Sequence, residues 1–217
     1  MSEILFILGL PGSGKSAIAR HIGRYVRNKG RGIKRFNDYR ILHEMFDQDT
    51  EQKQFKSAEP GGFDVIDENA FDKALHELER KVKKCLSSNA TSRKIVIIEF
   101  ARNNYRRAFE QFSSGFLESS CFLYLDVEVE VCKQRIRDRV AKPRHKDDYP
   151  VSEYIFETYY YGDDGEHISL YLENNHKIEQ HRVLAIDNNG PLKSVGKRVN
   201  SFIDAIMTAE VALNKNR

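Results

Sequence analysis

Apolar residues in this chain fall into short unbroken blocks separated by longer stretches in which they recur every three or four positions. Ile4-Leu5-Phe6-Ile7-Leu8, Ile95-Val96-Ile97-Ile98 after Lys94, and Cys121-Phe122-Leu123-Tyr124-Leu125 are such blocks. Uninterrupted apolar runs of this length fit strands that are covered on both faces, as in a parallel sheet. Residues 33–36 and 182–186 read as two further short strands. Helical spacing dominates residues 17–29, 39–46, 68–86, 127–140, 152–161 and 192–213, with breaks at Gly30 and Gly32 and at Pro60-Gly61-Gly62. Strand and helix alternate, which predicts an α/β fold: a three-layer sandwich around a five-stranded, mainly parallel sheet, with ligands at the carboxyl ends of the strands. A single domain over residues 1–217 is expected. Residues 37–92 are too long for a simple crossover and are expected to form a helical insertion on the substrate side, with residues 140–152 as a short charged lid.

The first apolar block runs directly into Gly9-Leu10-Pro11-Gly12-Ser13-Gly14-Lys15-Ser16, and a helical pattern follows at once. This is the phosphate-binding pattern G-x-x-x-x-G-K-[ST] between a strand and a helix. Gly9, Gly12 and Gly14 let the backbone wrap an anion, while Pro11 and Ser13 complete the loop. Lys15 reaches the outer phosphates, and the Ser16 hydroxyl is placed for Mg²⁺. The cofactors implied are ATP and Mg²⁺.

Composition narrows the partners. The chain has 35 Lys plus Arg against 32 Asp plus Glu. There is no global basic field, so nucleic-acid contact is possible only locally and is not indicated by net charge. Cys85, Cys121 and Cys132 are odd in number and lack paired metal spacing, and are expected as small packing residues. No apolar run approaches the roughly 20 residues of a membrane span, and Met1-Ser2-Glu3 leads straight into the first strand. A soluble cytoplasmic chain without membrane contact is the expectation.

Chemistry should gather just past the strand ends. The second strand ends in Asn37-Asp38-Tyr39-Arg40, where Asp38 is a candidate for orienting an acceptor and Arg40 for clamping an anionic substrate. Helix capping by Asn37 or Asp38 explains the same residues. Glu99 follows the third apolar run and could hold a magnesium-bound water or an attacking hydroxyl. Arg102 is the choice among Arg102, Arg106 and Arg107 for gripping substrate. Arg135 and Arg139 lie four residues apart on one helix face and could stabilise a moving phosphoryl group, although an ion-paired surface helix would look alike. Tyr154 and Tyr159 to Tyr161 read as packing residues.

These elements resemble the P-loop kinases of the nucleoside monophosphate kinase type. The likeness rests on Gly9 to Ser16, Asp38 and Arg40, Glu99 and Arg102, Arg135 and Arg139, and Asp187-Asn188-Asn189-Gly190 after the last strand. It implies the strand order 2-3-1-4-5, lid arginines closing over phosphates, and Asn188 beside the adenine of ATP. Asp38-Tyr39-Arg40 is similar to the element with which adenylylsulfate and zeta-toxin-like kinases act on an acceptor hydroxyl. The adenylate kinase spelling is absent: Ser16 follows Lys15 directly, and Glu99-Phe100-Ala101-Arg102 stands where D-G-F-P-R would.

Three readings follow. The first is a kinase passing the ATP γ-phosphate to an unidentified small acceptor, a nucleotide, nucleoside or similar hydroxyl compound. The second is a kinase acting on RNA or protein, since residues 47–69 carry no evident small-substrate motif. The third is a slow ATPase that switches its contacts with a partner.

Overall fold

The computed structural model describes residues 2–58, 62–88, 94–145, 149–160 and 167–215. Five strands form one parallel sheet: β1 (Glu3–Leu8), β2 (Gly32–Asn37), β5 (Lys94–Glu99), β6 (Ser120–Asp126) and β7 (Val183–Asp187). Their order is β2-β5-β1-β6-β7, which counted among these five strands is the expected 2-3-1-4-5. Ile4 pairs with Val96 on one side and Ser120 on the other, so β1 sits at the centre. Its alternation splits the core. Ile4, Phe6 and Leu8 face one cluster, while Leu5 and Ile7 face another with helices α1 (Lys15–Asn28) and α9 (Leu192–Lys215). Phe6 stacks on Phe122 of the neighbouring strand at 5.0 Å, a cross-strand pair that fixes register.

On the other face lie α2 (Tyr39–Gln48), α3 (Asn69–Ser88), α4 (Tyr105–Phe109), α5 (Ser114–Glu118), α6 (Val129–Ala141), α7 (Glu153–Thr158) and α8 (Ile168–His176). The short helices α4, α5 and α8 were not legible from periodicity, because five to nine residues hold too few turns to show it. The insertion is not wholly helical. It contains an antiparallel hairpin, β3 (Phe55–Ser57) and β4 (Phe63–Val65), paired Phe55 to Val65 and Ser57 to Phe63. Three-residue strands have no readable alternation, but an aromatic cluster supports them: Phe63 stacks on Phe46 at 5.1 Å and meets Phe55 edge-on at 5.4 Å. The last strand begins at Val183, with Arg182 in a preceding 3-10 turn. Residues 59–61, 89–92 and 146–148 of the expected insertion and lid, and Tyr161 of the expected helix, lie outside the described residues. Cys121 and Cys132 are buried and Cys85 is half-buried, all as free thiols. No helix among the described residues is long and apolar enough to cross a membrane.

Candidate functional site

The loop between β1 and α1 is shaped by backbone that only glycine tolerates. Gly12 has φ 85° and Gly14 φ 98°. A Cβ on Gly12 would stand 2.4 Å from the Cys132 carbonyl oxygen of α6, so that helix packs directly on the loop. Gly14 occupies the N-cap of α1 with no side-chain cap, and no acid sits in the first turn. The first amide N–H groups of this helix therefore lack intrahelical partners at the positive end of the dipole. Gly9 and Ser13 support the loop from within: the Gly9 amide donates to the Tyr105 hydroxyl at 2.7 Å, and the Ser13 carbonyl accepts from Asn188 Nδ2 at 2.7 Å.

Lys15 folds back over the loop, its Nζ donating to the carbonyls of Gly9 at 2.6 Å and Leu10 at 2.8 Å. Burial pulls its ammonium down to about 8, against the opposing pull of Cys132, Glu99 and Asp38. Next along the helix, Ser16 Oγ donates to Glu99 Oε2 at 3.0 Å. Glu99 is 3% exposed, and its other oxygen accepts from Arg35 Nε at 2.8 Å. Burial pushes the Glu99 carboxyl up, and Arg35 with Ser16 and Lys15 draws it back. Arg35 was missed by sequence reading; its alternation with Ile33 in β2 is the signal that it points to the α1 side.

Asp38 begins α2 but does not cap it with its side chain. Asn37 takes that part, its Oδ1 accepting from the Arg40 amide at 3.3 Å. Asp38 Oδ2 instead accepts from Arg102 at 2.5 Å, both residues being buried. Arg102 also donates to the Ala101 and Phe71 carbonyls and lies over the Phe71 ring at 4.5 Å. Arg40 is exposed and does not reach this site.

One cavity of about 310 Å³ joins these groups. Pro11, Gly12, Gly14, Lys15 and Ser16 line it, with Glu99, Arg135 and Arg139. So do Asp38, Tyr39, Arg102, the hairpin residues Phe63 to Val65, and residues 149–152. The two α6 arginines are directed to it differently. Arg135 holds the carbonyls of Asn188, Asn189 and Gly190 at 2.8, 3.1 and 3.0 Å, whereas Arg139 grips the Tyr149 carbonyl at 2.6 Å. Tyr149 in turn stacks on Tyr39 at 3.7 Å, and burial together with Tyr149 pushes the Tyr39 hydroxyl up to about 12. Asp64 accepts from Ser152 Oγ at 2.6 Å. Asp64, Tyr149 and Ser152 carried no sequence signal beyond their charge or polarity. Asn188, expected beside adenine, is 5% exposed and spends its amide on the loop instead. Arg106 lies over the Tyr171 ring, and Arg107 pairs with Asp72 and Glu68, so neither grips the cavity. Tyr154 is exposed, while Tyr159 packs on Phe71 and Tyr160 lines the cavity.

A parallel sheet in this order, with a glycine loop and lysine between its central strand and α1, defines a P-loop protein of the kinase type. Residues 1–141 match the family described as Novel STAND NTPase 3 (nSTAND3), and the chain belongs to that family. Among curated proteins it is similar to adenylate isopentenyltransferase 7, mitochondrial, of Arabidopsis thaliana, 24% identical over 143 residues. That match takes in 64% of this chain but only 43% of the plant enzyme, less than half its length. In fold it is similar to a sugar kinase from Janibacter sp. HTCC2649, with TM-score 0.56 and 18% identity, covering 95% of this chain and 98% of that one. It is also similar to the APS kinase of Mycobacterium tuberculosis in complex with AMPPNP and APS, with TM-score 0.54 and 12% identity over 94% and 98% of the two chains.

Proposed function

We propose that this chain is an ATP- and Mg²⁺-dependent phosphotransferase that moves the γ-phosphate of ATP to the hydroxyl of a small molecule. The observation that carries this reading is the shared cavity: a phosphate loop with its lysine and a carboxylate, Asp38, line the same space. A hydrolase needs room for water only, whereas an acceptor side built of Asp38, Tyr39, Asp64 and Ser152 suits a second substrate. The sugar and APS kinases of like fold support it by analogy.

In this reading Lys15 leaves the Gly9 and Leu10 carbonyls to neutralise the outer phosphates. Asp38 accepts a hydrogen bond from the acceptor hydroxyl and holds it in line. Arg135 and Arg139 stabilise the charge on the transferring group, and Arg139 draws the segment at Tyr149 over it, residues 140–152 acting as the lid. Arg102 positions Asp38 and reaches substrate only through it. Asn188 serves the nucleotide through the loop rather than by touching adenine.

The oxygen donors Ser16 and Glu99, already 3.0 Å apart, fit a magnesium ion held by one hydroxyl, by the phosphates and by water that Glu99 orients. Such an ion would offset phosphate charge. A single domain in a soluble, cytoplasmic setting completes the reading.

A second reading has one observation behind it. The family is described as an NTPase, and a slow nucleotide switch would use the same loop. Following the γ-phosphate of labelled ATP in the presence of Mg²⁺, with Lys15→Ala as control, separates the two. Label on an added alcohol supports the phosphotransferase; label released only as inorganic phosphate supports the switch.

A further inference from the structure

The acceptor end of the cavity has a charge pattern that bears on what it takes, given the phosphotransferase reading on which this inference rests. Two carboxylates line it, Asp38 at 6% and Asp64 at 9% exposure. Each uses one oxygen within the protein: Asp38 Oδ2 on Arg102, and Asp64 Oδ1 on Ser152. Neither makes a further hydrogen bond among the described residues, so Asp38 Oδ1 and Asp64 Oδ2 are acceptors awaiting donors at this end.

The cations of the cavity are committed within the protein, Arg139 to the Tyr149 carbonyl on this side of it. Lys15 lies in the loop, Arg20 one turn further along α1, and Arg135 and Arg139 on α6. Arg102 is ion-paired with Asp38; its NH1 and NH2 groups are taken by Asp38, the Ala101 carbonyl and the Phe71 carbonyl, and its Nε is buried without a partner among the described residues. Asp38 is neutralised by Arg102, but Asp64 has only the Ser152 hydroxyl and no ion pair among the described residues, so a phosphate or carboxylate entering here would meet an uncompensated like charge in a cleft of low dielectric. Hydroxyl groups, by contrast, supply the missing donors. The remaining walls, Phe63, Val65, Val151 and Ile155, are apolar.

We infer that the acceptor is an uncharged polyhydroxyl compound with one apolar face, such as a nucleoside or neutral sugar, and that Asp64 rejects its anionic counterparts. Asp64 is thereby a specificity residue on an insertion strand, and the nucleotide acceptors considered from sequence are disfavoured.

Matched pairs test this: uridine against UMP, cytidine against CMP, ribose against ribose 5-phosphate, and glucose against gluconate, each with γ-labelled ATP and Mg²⁺. The expected result is label on the uncharged member of at least one pair, with kcat/KM at least tenfold above its anionic partner. Asp64→Asn should narrow that ratio and Asp64→Lys should invert it. Ser152→Ala removes the bond to Asp64 without touching its charge and should preserve the ratio; a collapse equal to that of Asp64→Asn would reduce Asp64 to a structural role and overturn the inference. Preferential labelling of the anionic members overturns it while leaving the phosphotransferase standing. Release of inorganic phosphate alone, with none of the eight compounds binding beside AMPPNP in calorimetry, overturns the phosphotransferase reading itself.

Discussion

Asp38 and Arg102 meet at 2.5 Å in the wall of the cavity, 64 positions apart in sequence and both removed from water. β2 and β5 are paired in register up to Asn37 and Glu99, so the residues that follow them emerge side by side. Removing one partner of a buried pair strands the other charge. Asp38→Ala and Arg102→Ala are each expected to lower stability by about 3–5 kcal/mol. Asp38→Asn, which keeps a hydrogen-bond acceptor, should cost less than either while still lowering turnover. Urea unfolding of the three variants checks this, and an Arg102→Ala protein as stable as the wild type would contradict it.

Lys15 gives a prediction with a definite sign in pH. Its folded value of about 8 lies below the 10.5 of an exposed lysine, so between these values the unfolded chain binds more protons. Stability of the nucleotide-free protein should therefore rise with pH across that window, the burial cost being fully present below about 8. Lys15→Met removes the cost and should raise the melting temperature at neutral pH by a few degrees, roughly, while abolishing nucleotide binding. ATP affinity should weaken as pH rises through about 8, with proton uptake on binding. Calorimetry in buffers of different ionisation enthalpy reads both.

Arg139 and Arg135 should respond differently to truncation. Arg139→Ala frees the Tyr149 carbonyl and removes positive charge near the moving group, so kcat is expected to fall by about 100-fold or more with ATP affinity changed by less than about threefold. Arg135→Ala releases the three carbonyls of residues 188–190 and should weaken ATP binding as well. Equal losses of affinity and turnover in Arg139→Ala would count against a role in the transfer step.

Gly12→Ala should be among the most damaging small changes in the chain. The new methyl would meet backbone of α6 at 2.4 Å, and the residue would also be held at φ 85°. The atoms met are all backbone of Cys132 rather than a flexible side-chain end, so loop or helix must move, and a loss of about 2 kcal/mol or more is expected. Thermal unfolding and ATP binding should fall together.

What the sequence disclosed, and what it withheld, follows from the range of the interactions involved. The phosphate loop is a local pattern, since its dihedrals and its lysine are set within eight consecutive residues. Glu99 was visible for a related reason, being a carboxylate directly after a fully apolar run. Its partners were not: Ser16 lies 83 positions away and Arg35 64, and only strand order brings them together. Asp64 and Tyr149 reach the site from a three-residue strand and a loop, neither of which has a period to read. Arg40 was chosen for its place just past a strand end, which fixes its position in the chain but not its direction. Two residues apart at a helix start, it points roughly 200° from Asp38 and into solvent. Asn188 was read as lying beside adenine, whereas its amide turns inward to the Ser13 carbonyl.

That inward turn joins segments 175 positions apart. Asn188, following the last strand, holds Ser13, and Val195, Val199 and Ile203 of α9 cover Ile18 and Ile22 of the helix that the loop begins. The stretch that matches the family, residues 1–141, contains every residue of the phosphate loop and yet lacks the bond from Asn188 and the cover from α9. During synthesis the loop leaves the ribosome 175 positions ahead of Asn188. Nucleotide binding is thus a late event in the life of a nascent chain, and a ribosome-bound fragment ending before residue 188 should carry the motif without its grip.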